Sequence, residues 1–447
     1  MAMKFRKILT KALVVLLLLA AVVLGVRGIF NYIAGQKLEK YLEAAKAEGI
    51  PLRVKDLVPA CPDSDNAATL WKAAEELFQI DRDDRDFMNK TMNDFFRGKP
   101  FGADARERLT ALAAKNRRLI DLVVEAGTRS CLRYGDWSLP AFEVPRPKAI
   151  NLIQTVRLLA IDAVLRADRG EVGEALDECR KGMRFVRLLA DEPLLINILV
   201  AVADMKILLA SFNSIVQDRT IAPELLTSWI EELDPLPWRS RFIRCIPGER
   251  AYALEIGLDV ISGKAGINLN LESQGFFRRF LYWLIRPVLK SECLWVQKQY
   301  EDYLDMDTQS YWQAREFLKK KSLGIEHPPW PYRMIGQLLP DLHTVFYKEA
   351  MLEAIMLATR TGLGCRIYKK QTGHYPENLA ALVPGILKEE PIDPFTGKPL
   401  VYRIQNGELL IYSLGSNLKD DGGRMTYMIT QLVMDKDDDW TWREKIN

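Results

Sequence analysis

The segment GHYPENLAALVPGILKEEPIDPFTGKPLVYRIQNGELLIYSLGSNLKDDGG, residues 373–423, carries the most ordered pattern of the chain. Apolar residues at helical spacing precede it and predict a long amphipathic helix over residues 341–370. Gly373 favours the end of this helix, and Pro376 cannot continue it. The segment is therefore expected to follow a long helix directly and to pack on it.

Two short β-prone runs lie in the second half of the segment, at residues 400–404 and 409–414. Asn406-Gly407 lies between them, and Asn-Gly between β-prone runs is the strongest local signal for a hairpin. Three prolines and Gly397, within residues 391–399, predict an irregular turn before the first run. The sequence thus predicts a helix packed on a small antiparallel hairpin.

Several short residue groups follow one another in a fixed order across this segment. They are Tyr375-Pro376, Leu379 and Leu382, Asp393-Pro394-Phe395, Gly397, Tyr402, Tyr412-Ser413-Leu414-Gly415 and Gly422-Gly423. The order resembles the globular domain of the major pseudopilin of type II secretion, over about a fifth of the chain. The resemblance implies a small α+β module, which we place at residues 341–434.

A pseudopilin also has a short basic leader, a cleavage-site glycine and a membrane helix joined directly to its globular head. In this chain the resembling module lies more than three hundred residues after Met1. We therefore expect a pseudopilin-like cap on a larger protein, and not a subunit that assembles into a pilus.

In that family the loop after the Ser-Leu-Gly strand can hold a calcium ion. The corresponding loop here is residues 416–423, and its candidate ligands are Asn417, Asp420 and Asp421. Carboxylate and amide oxygens are the hard ligands that calcium prefers. Lys419 adds an opposing charge, and Asn417 stands where the family usually has Asp. An ordinary Asp- and Gly-rich turn is the alternative.

The N-terminus predicts a cytoplasmic stub and a membrane anchor over residues 1–35. The uncharged run 12–26 spans about 22 Å as a helix, which is less than the ~30 Å hydrocarbon core. Snorkelling of Lys11 and Arg27, with residues 29–33 joining the helix, makes up the difference. A cleaved signal peptide is the alternative, but no convincing small-x-small site follows Leu24.

Basic residues set the expected orientation of the anchor. Four of them precede the apolar run, and this predicts a cytoplasmic N-terminus. The bulk of the chain would then be periplasmic, in a protein of the bacterial inner membrane. The four residues are Lys4, Arg6, Lys7 and Lys11.

The middle of the chain reads as helical, with a juxtamembrane region at residues 36–130 and a helical body at 131–325. Residues 148–217 predict three helices, and Gly170 is suited to the turn between the first two. That turn and its flanking helices resemble a tetratricopeptide hairpin, but no second copy follows at a fixed period. The sequence therefore predicts a helical bundle and not a repeat array.

Two other hydrophobic stretches need separate interpretations. Residues 193–212 are long enough to span a membrane, but Asp204 and Lys206 would each cost about 2.5–3.5 kcal/mol there. We expect a helix buried in protein. Residues 276–296 mix arginines with aromatic residues, which suits a bilayer surface or a core helix that turns its basic residues to solvent. The sequence favours the core helix, broken at Pro287.

Composition and motifs exclude several classes of function. The chain has 447 residues and a net charge of +3, so no strongly basic field points to a nucleic-acid partner. The three histidines are not spaced as metal ligands, and no nucleotide-binding or hydrolase motif is present. The six cysteines are far apart, and their pairing cannot be deduced from the sequence. Apart from the calcium hypothesis, no cofactor is expected.

The sequence therefore predicts a mainly α protein with one transmembrane helix, a helical body, an α+β cap and an acidic tail at residues 435–447. We expect a non-enzymatic binding or scaffold protein of the envelope, with a protein or peptide partner. One alternative is an envelope hydrolase whose carboxylates are brought together by the fold. The other is an accessory component of type II secretion or of a pilus-like assembly.

Overall fold

The computed structural model describes residues 2–96, 99–141, 143–217, 219–263, 276–304, 310–326, 332, 341–423 and 440–445. Within these ranges the chain is mainly helical, with one small antiparallel sheet in the order β1-β2-β3, which confirms the predicted fold class at this level. The elements are α1 (Ala2–Ala47), α2 (Ala67–Glu76), α3 (Arg82–Phe96), α4 (Ala103–Lys115), α5 (Arg117–Ala126), α6 (Ala149–Asp168), α7 (Val172–Ala190), α8 (Leu195–Gln217), α9 (Pro223–Glu232), α10 (Leu236–Ser262), α11 (Phe276–Leu304), α12 (Tyr311–Glu326), α13 (Leu342–Thr372), β1 (Val401–Gln405), β2 (Glu408–Ser413) and β3 (Trp440–Lys445).

Helix α1 continues from the apolar N-terminal segment into the body without interruption. Its apolar residues from Leu13 to Ile33 are exposed, whereas Ala34, Leu38 and Ala45 are buried against the rest of the protein. The buried part packs on α11, which in turn packs on α10. One helix therefore serves both as the apolar rod and as part of the folded body.

Helix α6 is the centre of the body. Nearly all of its side chains are buried, and it packs on α7, α8 and α4. Gly170, with a φ of 91°, makes the turn into α7 at the predicted position. Helix α8 is apolar enough to cross a membrane but is mostly buried within the protein, so the prediction of a buried helix at residues 193–212 is confirmed.

Two predicted helix boundaries were wrong. The apolar spacing of residues 104–127 predicts one helix, but Asn116 separates α4 from α5. The Asn116 side-chain amide donates to the Leu112 carbonyl (3.0 Å), so that it competes with the helical hydrogen-bond pattern. The predicted break at Pro287 is also wrong, since α11 continues as a helix on both sides of this residue. A proline removes one backbone hydrogen bond, and packing on α1 and α10 holds the flanking turns in place.

Helix α13 and the hairpin after it match the prediction closely. Asp341 caps the start of α13 by accepting a hydrogen bond from the His343 amide (3.1 Å), and Gly373 ends the helix with a φ of 87°. Strands β1 and β2 pair through a two-residue turn, in which Asn406 and Gly407 both have positive φ. This is the backbone that an Asn-Gly hairpin turn requires.

A third strand lies where the sequence predicts an acidic tail. Residues 440–445 pair antiparallel with β2, and Trp442 is fully buried. The prediction of an acidic tail over residues 435–447 is therefore wrong at residues 440–445, which form β3. This strand is stabilised by pairing with β2, and no local turn signal in the sequence marks it. Residues 424–434 and 435–439, at the end of the predicted module and the start of the predicted tail, lie outside the described residues.

The C-terminal module shares its hydrophobic core with the body. The ring of Phe395 packs edge-on against Tyr311 of α12 and Tyr347 of α13, with centroids 5.3 and 5.8 Å away. The Trp312 amide donates to the Pro394 carbonyl (3.1 Å). The contacts of Tyr311 and Trp312 join the module to α12 of the helical body.

Candidate functional site

The apolar part of α1 is the first feature with a functional meaning. Residues Leu13–Ala47 are long and apolar enough to cross a membrane, and the most apolar window in this range has none of its residues buried in the protein. Burial begins at Ala34. An exposed apolar rod of this size is unfavourable in water, because each exposed apolar Å² costs about 25 cal/mol relative to burial.

Arg27 connects the apolar rod to the body. Its guanidinium lies 3.4 Å from the ring centroid of Trp283 and donates to the Trp283 carbonyl at 3.1 and 2.6 Å. Farther along α1, the Tyr41 hydroxyl accepts from Arg250 (2.6 Å) and contacts Gln297 (3.4 Å). These contacts hold the rod and the body in one orientation.

A second feature is a buried carboxyl cluster of α13, formed by Glu349 and Glu353 in the field of Arg239 of α10. Burial raises the pKa of Glu349, and the nearby charge of Glu353 adds to that rise. Burial also raises the pKa of Glu353, while the positive charge of Arg239 opposes it. Lys206 of α8 lies instead beside Met351 and Lys348, and burial together with the charge of Lys348 lowers its pKa to about 8. Protonated carboxyls are groups used in acid–base chemistry.

The sequence interpretation missed this cluster, although one signal was present. Glu349 and Glu353 are four residues apart and so share a face of the long helix predicted there. That face is buried, with Glu349 only 4% exposed. Paired carboxylates are what the hydrolase alternative requires, but these two are enclosed by protein.

Another ionisable pair lies in the centre of the body. Asp204 of α8 is completely buried, and burial raises its pKa well above the usual range, against the opposing charge of Arg157 on α6. Arg157 also donates to the side chains of Gln154 (3.2 Å) and Asn89. Asp204, which argued against membrane insertion in the sequence, is therefore a core residue beside a cation.

A shallow pocket opens near the first turns of α6 and α8, with a cavity volume of about 60 Å³. Its lining includes Leu152, Val200, the exposed Ile196 and the buried Asn197. Arg146, on the connector before α6, also lines it. Ile196 remains 48% exposed, although most large apolar side chains of the body are buried. Mainly apolar walls with a few polar groups are typical of small binding sites.

The residues that carry the pseudopilin resemblance meet around Asp393. Its carboxylate accepts from the Ser413 hydroxyl (2.8 Å) and from the backbone amides of Leu414 (3.1 Å) and Phe395 (2.9 Å). Asp393 is 1% exposed. The Asp-Pro-Phe and Tyr-Ser-Leu-Gly groups are therefore joined by hydrogen bonds, and the geometry gives them a structural role.

The three candidate calcium ligands lie in one loop, but their oxygens have protein partners. Asp420 accepts from the Tyr412 hydroxyl (2.8 Å) and pairs with Arg403. Asn417 donates to Asp421 (2.8 Å). Among the residues that the structure describes, no three His, Cys, Asp or Glu side chains are grouped as a metal site requires. Calcium binding by this loop stays a prediction.

Two cysteines that the sequence could not pair form a disulfide. Cys61 and Cys131 are bonded, with Cα atoms 5.9 Å apart, and the bond joins the segment after α1 to the connector after α5. Nothing in their spacing distinguishes them from the others. The remaining four cysteines are buried free thiols: Cys179, Cys245, Cys293 and Cys365.

Comparison with protein-family models, with curated proteins and with solved structures gave no match for this chain. The resemblances to a pseudopilin and to a tetratricopeptide hairpin therefore stay predictions from the residues.

Proposed function

We propose that this protein is a single-pass envelope protein whose exported helical body binds a protein or peptide partner at the membrane, without catalysing a reaction. The continuity of α1 carries this proposal, because the same helix provides both the apolar rod and a buried part of the body. A chain of this kind holds its body at a fixed distance and orientation from the bilayer. That arrangement suits a scaffold or a receptor.

The Cys61–Cys131 bond supports an exported body. Disulfides persist in the periplasm and other oxidising compartments and are rare in the cytosol. The basic residues before the apolar run favour the same orientation, with the N-terminus in the cytoplasm. Two independent features thus support a periplasmic body.

The pocket between α6 and α8 supports the binding role. Its apolar walls fit one apolar side chain of a partner, and Arg146 and Asn197 could pair with the backbone or carboxylate of that partner. Ile196, which is about half exposed, lines the pocket, and the similarly exposed Ile150 follows the lining residue Ala149 in the chain. This surface is the site at which we expect the partner to bind.

Membrane fractionation tests the anchor and its orientation. After alkaline carbonate washing, the intact chain should stay in the membrane pellet, and external protease should digest the body in spheroplasts but not in intact cells. Release of the intact chain by carbonate, or protection of the body in spheroplasts, would contradict the proposal.

Site-specific photo-cross-linking tests the binding role. A photoreactive residue at position 196 should give a discrete adduct in native membranes, while one at Ile404, which is similarly exposed, should not. Adding Asn197→Ala should weaken the adduct at position 196. Equal labelling at both positions would argue against a specific partner at this pocket.

The Glu349–Glu353 pair favours a second candidate, an acid–base hydrolase. Under that proposal the full-length protein hydrolyses a chromogenic ester, glycoside or peptide, and Glu349→Gln abolishes this hydrolysis. Glu389→Gln, at an exposed position, is the matched control. Absence of hydrolysis in all three substrate classes would count against an enzyme.

A further inference from the structure

Helices α1 and α11 lie side by side and run in the same direction. Each contact pairs a residue of α1 with a residue about 256 positions later, and the order of the contacts is the same along both helices. The contacts are Arg27 with Trp283, Gly35 with Lys290, and Tyr41 with Gln297. A position on α11 therefore lies at the same height as its partner on α1.

This register gives the first half of α11 a depth relative to the bilayer. A hydrocarbon core of about 30 Å takes about 20 helical residues. Counted from Lys11, the last basic residue before the apolar run, the core ends near Asn31. Arg27 then lies about one turn inside the outer boundary, and Trp283 lies at the same level. The start of α11 is therefore at the height of the outer leaflet.

The exposure of side chains changes along α11 at the height where the bilayer would end. Phe280 and Trp283 are 42% and 38% exposed and stack on each other with centroids 5.8 Å apart. Later in the helix, Leu289, Cys293 and Tyr300 are all buried. The protein thus buries these residues of the second half of α11, whereas the rings of Phe280 and Trp283 in the first half remain partly exposed.

Cations gather beside the two aromatic rings. Arg27 lies on Trp283, and the charges that act on Lys290 are those of Arg286 and Arg27. Aromatic rings with neighbouring Arg and Lys are typical of the interface between hydrocarbon and headgroups. Lipid phosphates would supply the negative charge that such a cluster attracts.

We propose that Phe280 and Trp283 of α11, together with Arg286 and Lys290, form a second membrane contact at the boundary between the hydrocarbon core and the headgroups of the leaflet facing the body. The occupant of this surface is lipid, because the surface continues the apolar face of α1 at the same height. This inference rests on the proposed membrane anchor. With this contact, the body touches the bilayer at the start of α11 as well as being attached to it through α1.

Depth-dependent quenching tests the contact in the full-length protein. Trp283→Cys, labelled with an environment-sensitive fluorophore, is reconstituted in vesicles of phosphatidylethanolamine and phosphatidylglycerol that contain a 5-doxyl lipid. Phe280→Cys provides a second site, in case loss of the Arg27–Trp283 contact disturbs the junction. The native free cysteines are buried and should label little.

Phe317→Cys is the matched control. Phe317 is 43% exposed and contacts Tyr303, which lies about 30 Å farther along α11 than Trp283. We expect doxyl quenching at positions 280 and 283 to be at least about twofold stronger than at position 317. Equal quenching at the three positions would overturn the second contact.

Leu19→Cys separates this outcome from failure of the anchor. Leu19 is exposed in the middle of the apolar rod, so a label there should be quenched in any anchored protein. Quenching at position 19 with none at 280 or 283 would overturn the second contact and leave the anchor intact. Quenching at none of these positions would overturn both proposals.

Discussion

At the scale of single residues, Gly362 of α13 fixes where β3 packs. A Cβ atom at this position would lie 2.6 Å from Nε1 of Trp442 and still closer to two carbons of the indole ring. Trp442 is fully buried, so its ring cannot move aside freely. We expect Gly362→Ala to lower the free energy of unfolding by about 1–3 kcal/mol, the range for overpacked cores.

Gly364→Ala is the control for this prediction. Its Cβ would meet Ile386 at 3.4 Å and Leu382 at 3.5 Å, which are ordinary contacts. Alanine is also favoured over glycine inside a helix by about 0.8–1.0 kcal/mol. Urea unfolding in detergent, followed by tryptophan fluorescence, should place Gly364→Ala at or above wild type and Gly362→Ala below it. Equal stability of the two variants would contradict the packing argument.

The role of Gly362 could not be predicted from the sequence around it. The local pattern of α13 predicts a helix at this position, and that is correct. The need for glycine comes from Trp442, eighty residues later, through a sheet whose third strand has no local signal. Cys61 and Cys131 present the same problem, because their pairing depends on how α2 and α5 bring their flanking segments together.

At the scale of helices and strands, the sequence predicted the elements whose ends carry their own chemistry. Gly170, Gly373 and Asn406-Gly407 each mark a boundary that the structure retains. The sequence-based prediction of an element was wrong where packing overrides local preference, as at Pro287, which lies within the continuous helix α11. The candidate sites follow the same rule. The apolar run of α1 could be recognised in the sequence. The Arg27–Trp283 contact could not be predicted, because its residues are 256 positions apart.

The connection between α7 and α8 should give the protein a measurable pH dependence. Burial raises the pKa of Glu192 to about 7, although the Tyr134 amide, which donates to its carboxylate (3.3 Å), and Arg133 oppose the rise. A carboxyl whose pKa is raised in the folded state binds more protons there than in the unfolded chain. Its contribution is present below the unfolded pKa of about 4.3 and is lost as the pH rises towards 7.

Glu192→Gln keeps the shape of the side chain and removes this titration. The stability of the variant relative to wild type should therefore increase between pH 4.5 and pH 7.5. A tenfold change in proton affinity corresponds to about 1.4 kcal/mol, and we expect an increase larger than that. Chemical unfolding at the two pH values measures it, with Glu174→Gln, at an exposed position of α7, as the control. A difference that does not change with pH would contradict the burial argument.

At the scale of the whole molecule, one core joins α1, the helical body and the C-terminal module. Leu38 of α1, Phe185 of α7 and Trp442 of β3 all belong to the same cluster of buried residues. The boundary between the helical body and the C-terminal module is therefore marked in the sequence by a change of residue pattern. In the structure the hydrophobic core continues across it. Because the described parts of the body and the C-terminal module share one core, we expect them to lie in one compartment.

Counting reactive thiols tests that compartment. The chain has six cysteines, of which Cys61 and Cys131 are bonded and four are free. If the body is exported, denatured protein from membranes should take up four maleimides without a reductant and six after reduction, because the periplasm preserves the bond. Cys61→Ser should give five in both conditions. A variant lacking residues 1–35, retained in the cytosol, should give six without a reductant. Uptake of six by the unreduced wild type would place the body in a reducing compartment and contradict the proposed orientation.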